Sequence, residues 1–184
     1  MNISRPSPDE FASYYGKYVD ATGVSLATLE GGTVSDLLTL QPVALRSLLE
    51  NAEESLAQHR YAPDKWTLAE SLVHVSDTER VFAYRLLRVA RGDATPLPGF
   101  DQDLWVPLSG AGSRSLSDIL TEIDVVRAST LALVHSLDDA SVERRGTASG
   151  HPVSARALAW IIAGHFAHHL ELTRVRYLGM PAGS

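Results

Sequence analysis

Three histidines, His165, His168 and His169, interrupt the apolar run AWIIAGHFAHHLEL near the end of the chain. Imidazole binds metals and carries protons, and it is polar, so in such a run it needs a partner. On a helix at about 100° per residue, Leu158, Ile161, Ile162, His165, His169 and Leu172 fall on one stripe, with His168 toward its edge. Side chains four apart stand about 5–6 Å from each other at Cβ, close enough for both rings to reach one metal ion. Two readings are open: a pair of core histidines, each satisfied by a hydrogen bond, or two ligands of one ion. The segment is not a zincin, because that motif has Glu directly after the first His and Phe166 stands there.

A metal site needs further ligands, and His74 is the best candidate. It lies in KWTLAESLVHVSDTERVFAYRLLRVARG, which reads as a long helix opened by a Thr67–Glu70 capping box and stopped at Gly92. On that helix His74 shares a face with Glu70, Ser71, Asp77, Thr78 and Arg85. The face is either solvated or the polar lining of a cleft that aims His74 at His165 and His169. His59, His135 and His151 fall near helix ends or in turns, where exposure is expected.

These residues must be positioned by helices. SPDEFASYYGKYV reads as a short N-terminal helix, with Ser7 as N-cap, Pro8 at the first helical position and Glu10 closing a capping box. TGVSLATLEGG reads as a linker. TVSDLLTLQPVALRSLL is the first long helix, either kinked or split at Pro42. The His74 helix is the second. SLSDILTEIDVVRASTLALVHSL is the third, capped by Ser115 and Asp118. GTASGHPV is a turn, and Ser154 caps a fourth helix that runs to about Leu178. Nothing reads as a strand, so the fold expected is an all-α four-helix bundle.

Between Gly92 and Arg114 no periodicity survives. A connector of that length can return along a helix of roughly 37 Å, whereas antiparallel neighbours need only a few residues. The second and third helices should therefore run parallel, in an up-down-down-up order.

The 184 residues, 45% of them hydrophobic, suit one domain over 1–184, with 1–32 as an N-terminal extension packed on the bundle. The net charge of −6 with scattered Lys and Arg gives no basic patch for nucleic acid or an anionic membrane. No apolar run approaches the roughly 20 residues of a membrane span. MNISRPSPDEF lacks the apolar core of a signal peptide, and the expected location is the cytoplasm. There is no cysteine, which excludes disulfides, thiolate metal sites and a protein thiol nucleophile.

The stretches YAPDKWTLAESLVHVSDTERVFAYRLLRVARGD, LPGFDQDLW and GHFAHHLELTRVRYL, with the RPSPDEFASYYGKYV start, resemble the DinB-like superfamily of four-helix-bundle metalloproteins. That superfamily includes bacillithiol S-transferases and is similar to mycothiol-dependent maleylpyruvate isomerases. Its signature is one His on the second helix in an H-x-x-D-x-E context, here His74 with Asp77 and Glu79, and an H-x-x-x-H pair on the last, here His165 and His169. The resemblance implies a divalent metal on those three histidines, zinc or nickel, and the same up-down-down-up arrangement. With the tyrosine-rich start, it also implies a homodimer.

Three imidazoles leave a position open on a tetrahedral metal, the mark of a catalytic site. A thiol cosubstrate could be activated there to attack an electrophile, which would make the protein a thiol S-transferase in detoxification or stress response. Alternatively an activated water could hydrolyse an amide or ester, or the site could only stabilise the bundle. Glu70 and Asp77, one turn either side of His74, could serve as the general base of hydrolysis or could orient the histidines by accepting hydrogen bonds from them. Arg85 could bind a carboxylate of the thiol cosubstrate or be an ordinary surface charge.

Overall fold

In the computed structural model, residues 3–29 and 32–181 are described. Four long helices form the bundle: α2 (Val34–Leu49), α3 (Leu68–Ala90), α5 (Leu116–His135) and α7 (Ala155–Leu172). Each starts on a hydroxyl side chain, Thr33, Thr67, Ser115 or Ser154, that accepts from the backbone N–H three residues on. These caps satisfy donors a helix start otherwise leaves bare. A π-helical turn, Thr173–Tyr177, continues α7. No helix among the described residues is long and apolar enough to cross a membrane.

Side-chain pairs fix the helix directions. Arg46 of α2 binds Asp124 of α5, while Leu38 and Gln41 meet Arg127, so α2 and α5 are antiparallel. Arg80 reaches Glu122, Glu79 reaches Arg127 and Arg91 reaches Ser136, so α3 and α5 run parallel. Ser71 faces His169 and His74 faces His165, so α7 opposes α3. The order is up-down-down-up, as the length of the 92–114 connector requires.

Pro42 neither splits α2 nor ends it; the helix is continuous from Val34 to Leu49. Proline has no N–H for the carbonyl four residues back, which is that of Leu38. That carbonyl instead accepts from Arg127 Nη1 at 2.7 Å. Arg127 also makes a two-pronged bond to Glu79, 2.8 Å on each arm, and donates to Gln41 Oε1 at 3.0 Å. Gln41 in turn donates to Ala163 O at 2.7 Å, and the guanidinium lies over the Phe166 ring. One buried polar layer thus ties all four bundle helices together. Apolar clusters lie on either side of it, one around Leu38, Leu86 and Leu158, the other around Leu45, Leu72 and Ile119.

The N-terminal region differs from the sequence expectation. Pro8–Glu10 and Ser13–Tyr15 are single 3₁₀ turns, and the helix α1 spans Gly16–Thr28, through the segment read as a linker. Thr22, Gly23, Val24 and Ser25 are poor helix formers, but packing on α7 overrides propensity. Val19 and Thr22 are buried, and Thr22 Oγ1 donates to Trp160 O at 2.8 Å. Gly164 allows the close approach: a β-carbon there would lie 1.9 Å from Tyr18 O. Glu30 and Gly31 of the supposed linker lie outside the described residues.

GTASGHPV is also more than a turn. Strand β1 (Arg145–Ala148) pairs antiparallel with β2 (His151–Ser154) around a two-residue turn, Ser149–Gly150. Both turn residues have positive φ, 54° and 78°, as a type I′ hairpin requires. The crossover segment docks on this hairpin: Leu97 N donates to Thr147 O, and Ser149 N donates to Leu97 O. The crossover also carries a short helix, α4 (Gln102–Trp105), with Phe100 and Trp105 stacked on each other, and one turn of helix, α6 (Asp139–Val142), leads from α5 into the hairpin.

Candidate metal centre

His74 from α3 and His165 and His169 from α7 meet in the bundle interior, all three buried. Their facing ring nitrogens lie within 4.8 Å of one another, and His74 Nε2 is 3.2 Å from His165 Nε2. Two imidazole nitrogens on one tetrahedral ion, each at ~2.0–2.1 Å, stand about 3.4 Å apart, so the His74–His165 spacing fits a shared ion.

The outer nitrogens of His169 and His74 are held by hydroxyls. Ser71 Oγ lies 3.1 Å from His169 Nδ1, and Thr78 Oγ1 lies 3.3 Å from His74 Nδ1. With Nδ1–H donating to these oxygens, Nε2 is left as the lone-pair donor, which is how second partners fix a ligand's tautomer. Aromatic rings fix the imidazole planes: Trp66 packs on His74, and Tyr18 meets His165 edge-on.

Burial, reinforced by the nearby His168, holds His74 down at about 4. Burial first, then the other imidazoles and Lys17, pushes His165 and His169 well below the ordinary histidine value. All three are therefore neutral at physiological pH, the form that binds a metal. The donor set, its tautomers and its protonation fit a divalent ion. His168, at the stripe's edge as its wheel position implied, is exposed and stays outside the group.

The other candidates fall elsewhere. Glu70 spends its carboxylate on the cap of its own helix, accepting from Thr67 N at 2.7 Å, and on Arg60 at 3.1 Å. Asp77 pairs with Arg80 at 3.3 Å, and its pKa is raised, chiefly by burial. Neither is bonded to a triad histidine. At about 100° per residue, Glu70 and Asp77 lie about 40–60° to one side of His74, toward α5, while Ser71 and Thr78 lie as far to the other, toward α7. The histidines of α7 are on the hydroxyl side. Ser71 and Thr78 share the His74 face, but the angular offset separates them from Glu70 and Asp77 only once the side that packs on α7 is known.

Arg85 is not a surface charge. It is buried behind the site, donating to Pro98 O at 2.7 Å, Ser149 Oγ at 3.0 Å and Tyr15 Oη at 3.4 Å. His59, His135 and His151 are exposed, as expected.

A cavity of about 580 Å³ opens onto the triad. Its walls are largely aromatic, from Tyr14, Tyr18, Trp66, Phe82 and Phe100, and no carboxylate lines it among the described residues. Burial, then the neighbouring Tyr14, raises Tyr15 to about 12, so this wall residue keeps its proton.

A family model described as the DinB superfamily matches residues 37–173, which include the whole triad. No curated protein matches the chain. Among solved structures, YfiT from Bacillus subtilis is similar, at 16% identity over 97% of this chain and 95% of that one, with a TM-score of 0.71. YfiT is described as a "probable metal-dependent hydrolase with an unusual four-helix bundle topology". At that identity the likeness is one of fold.

Proposed function

The chain belongs to the DinB superfamily, and on that footing we propose that it is a metal-dependent thiol S-transferase that conjugates a small thiol to an electrophile in detoxification or stress response. The observation that carries this reading is the triad at the inner end of an aromatic cavity with no carboxylate in its described lining. Hydrolysis of an amide or ester usually draws on a proton acceptor beside the attacking water, most often a carboxylate. A thiol needs only to lose its proton, and then attacks unaided.

His74, His165 and His169 would hold the ion, zinc or nickel, through their Nε2 atoms. When bound, it supplies Lewis acidity that lowers the pKa of a thiol reaching it. The protein's own residues do the rest. Ser71 and Thr78 keep His169 and His74 in the right tautomer. Trp66, Phe82 and Phe100 exclude water from the inner cavity and offer apolar surface to an electrophile. The chain has no cysteine, so the thiol comes from a cosubstrate.

A second reading, hydrolysis, draws on the description of YfiT and on His168, an imidazole that lines the cavity outside the triad. One experiment separates the two. Protein loaded with zinc or nickel is offered a panel of small thiols with a chromogenic aryl halide, and separately chromogenic esters and anilides. Thiol consumption that needs the metal and vanishes in His74→Ala, with helical circular dichroism unchanged, is the expected result. Ester or anilide cleavage without thiol transfer would replace this reading with hydrolysis.

A further inference from the structure

Arg85 is 2% exposed, and no carboxylate among the described residues pairs with it. The other buried guanidinium of the bundle, Arg127, is neutralised by Glu79, and the partly buried Arg156 by Glu10 and Glu143. A guanidinium keeps its charge in proteins, and burying one without a counter-ion costs several kcal/mol. Arg85 has only neutral partners, two oxygen-bearing side chains and a carbonyl, and the faces of Phe82 and Phe100 at 5.7 and 5.6 Å.

One of those partners leads into the cavity. Ser149 Oγ accepts from Arg85 Nη2 at 3.0 Å, so its own hydrogen must point elsewhere, and no acceptor among the described residues takes it. Ser149 lines the cavity. It also sits at φ 54° in a turn position where asparagine, aspartate or glycine is favoured. Serine is the costlier choice there, and what it adds is a short hydroxyl within reach of both the guanidinium and the cavity. Lys17 lines the same cavity and has no carboxylate partner among the described residues. The cavity therefore has one cation in its lining, a second buried directly behind Ser149, and no acid among the described lining residues, in a chain whose net charge is −6.

We propose that the cavity takes a substrate bearing a carboxylate, which accepts from the Ser149 hydroxyl with Arg85 behind it and Lys17 at the rim, while the rest of the molecule extends toward the triad. This rests on the reading of that cavity as the substrate site. Arg85 is a positioning residue: it orients Ser149 and supplies the charge that selects an anion over its neutral analogue. The carboxylate belongs either to the thiol or to the electrophile.

Calorimetric titration of the full-length, metal-loaded protein tests this with two probe pairs of equal shape: benzoate against benzamide, and N-acetylcysteine against its amide. At least one carboxylate should bind about tenfold or more tighter than its amide, as a charge-assisted hydrogen bond allows. A preference confined to the first pair places the carboxylate on the electrophile, and one confined to the second places it on the thiol. The preference should collapse in Ser149→Ala, a change in a surface turn that keeps the test valid if Arg85→Gln fails to fold, and should survive in His165→Ala. Equal binding of acid and amide in both pairs would overturn the proposal. So would a preference that persists in Ser149→Ala but disappears in His165→Ala, because the carboxylate would then sit on the metal. Binding is read without turnover, so an absence of thiol transfer leaves this result standing and bears only on the reaction assigned above.

Discussion

Replacing Arg127 with methionine is expected to cost the fold about 3–5 kcal/mol, the range seen when one partner of a buried ion pair is removed. Three groups lose their partner at once: the Glu79 carboxylate, which is 5% exposed, the Leu38 carbonyl left free by Pro42, and the Gln41 side-chain oxygen. Methionine restores the packing over Phe166 but none of the donors. Glu79→Gln should cost less, because the amide oxygen can still accept from the guanidinium. Urea denaturation of the three proteins gives the comparison. A loss below about 1 kcal/mol for Arg127→Met would mean that water reaches this layer and that it is not the polar tie between the helices.

The second large effect is on stability through the triad. An ion that binds the folded chain alone stabilises it by about 4 kcal/mol when free metal exceeds its dissociation constant a thousandfold. For a chain of this size that corresponds to a rise of roughly 8–16 °C in melting temperature. Adding a chelator should reverse it, and His169→Ala should abolish the response. The metal-free protein should also be acid-sensitive in a defined window. Burial holds His74 at about 4 in the folded state, against ~6.5 for an exposed imidazole. Between those values the unfolded chain binds a proton that the folded chain refuses, so stability is fully present above about 6.5 and falls as the pH drops toward 4. At pH 5 the loss from His74 alone is about 2 kcal/mol. His165 and His169, depressed further, extend the fall to lower pH. A His74→Ala protein whose denaturation midpoint falls between pH 7 and pH 5 as steeply as the wild type would contradict this.

The long helices were legible because their signals are local. Thr67 with Glu70, and Ser154 before an apolar run, mark starts that the structure reproduces. The face of His74 and the inward pair on the last helix follow from angular spacing alone. What was not legible depends on distant partners. Nothing near Pro42 in the chain says that its orphaned carbonyl will meet Arg127, 89 positions from Leu38. The α1 segment reads as a linker because its residues disfavour helix; it is helical because α7 offers Gly164 as a close-approach site. Each hairpin strand is four residues long and contains little alternation, so pairing with its neighbour and with Leu97 had no sequence signature. Ser71 and Thr78 share the His74 face with Glu70 and Asp77, and residue type points to the carboxylates, the commoner partners of metal-bound histidines. Which side of the helix faced α7 was decided by packing.

Elemental analysis bears most directly on whether His74, His165 and His169 hold one divalent ion between them. Wild-type protein and the His74→Ala, His165→Ala and His169→Ala variants are loaded with zinc or nickel, dialysed exhaustively and assayed for metal per chain, with circular dichroism confirming that each is folded. One ion per chain is expected in the wild type and essentially none in each variant. Equal metal content in the wild type and a folded His165→Ala protein would contradict it.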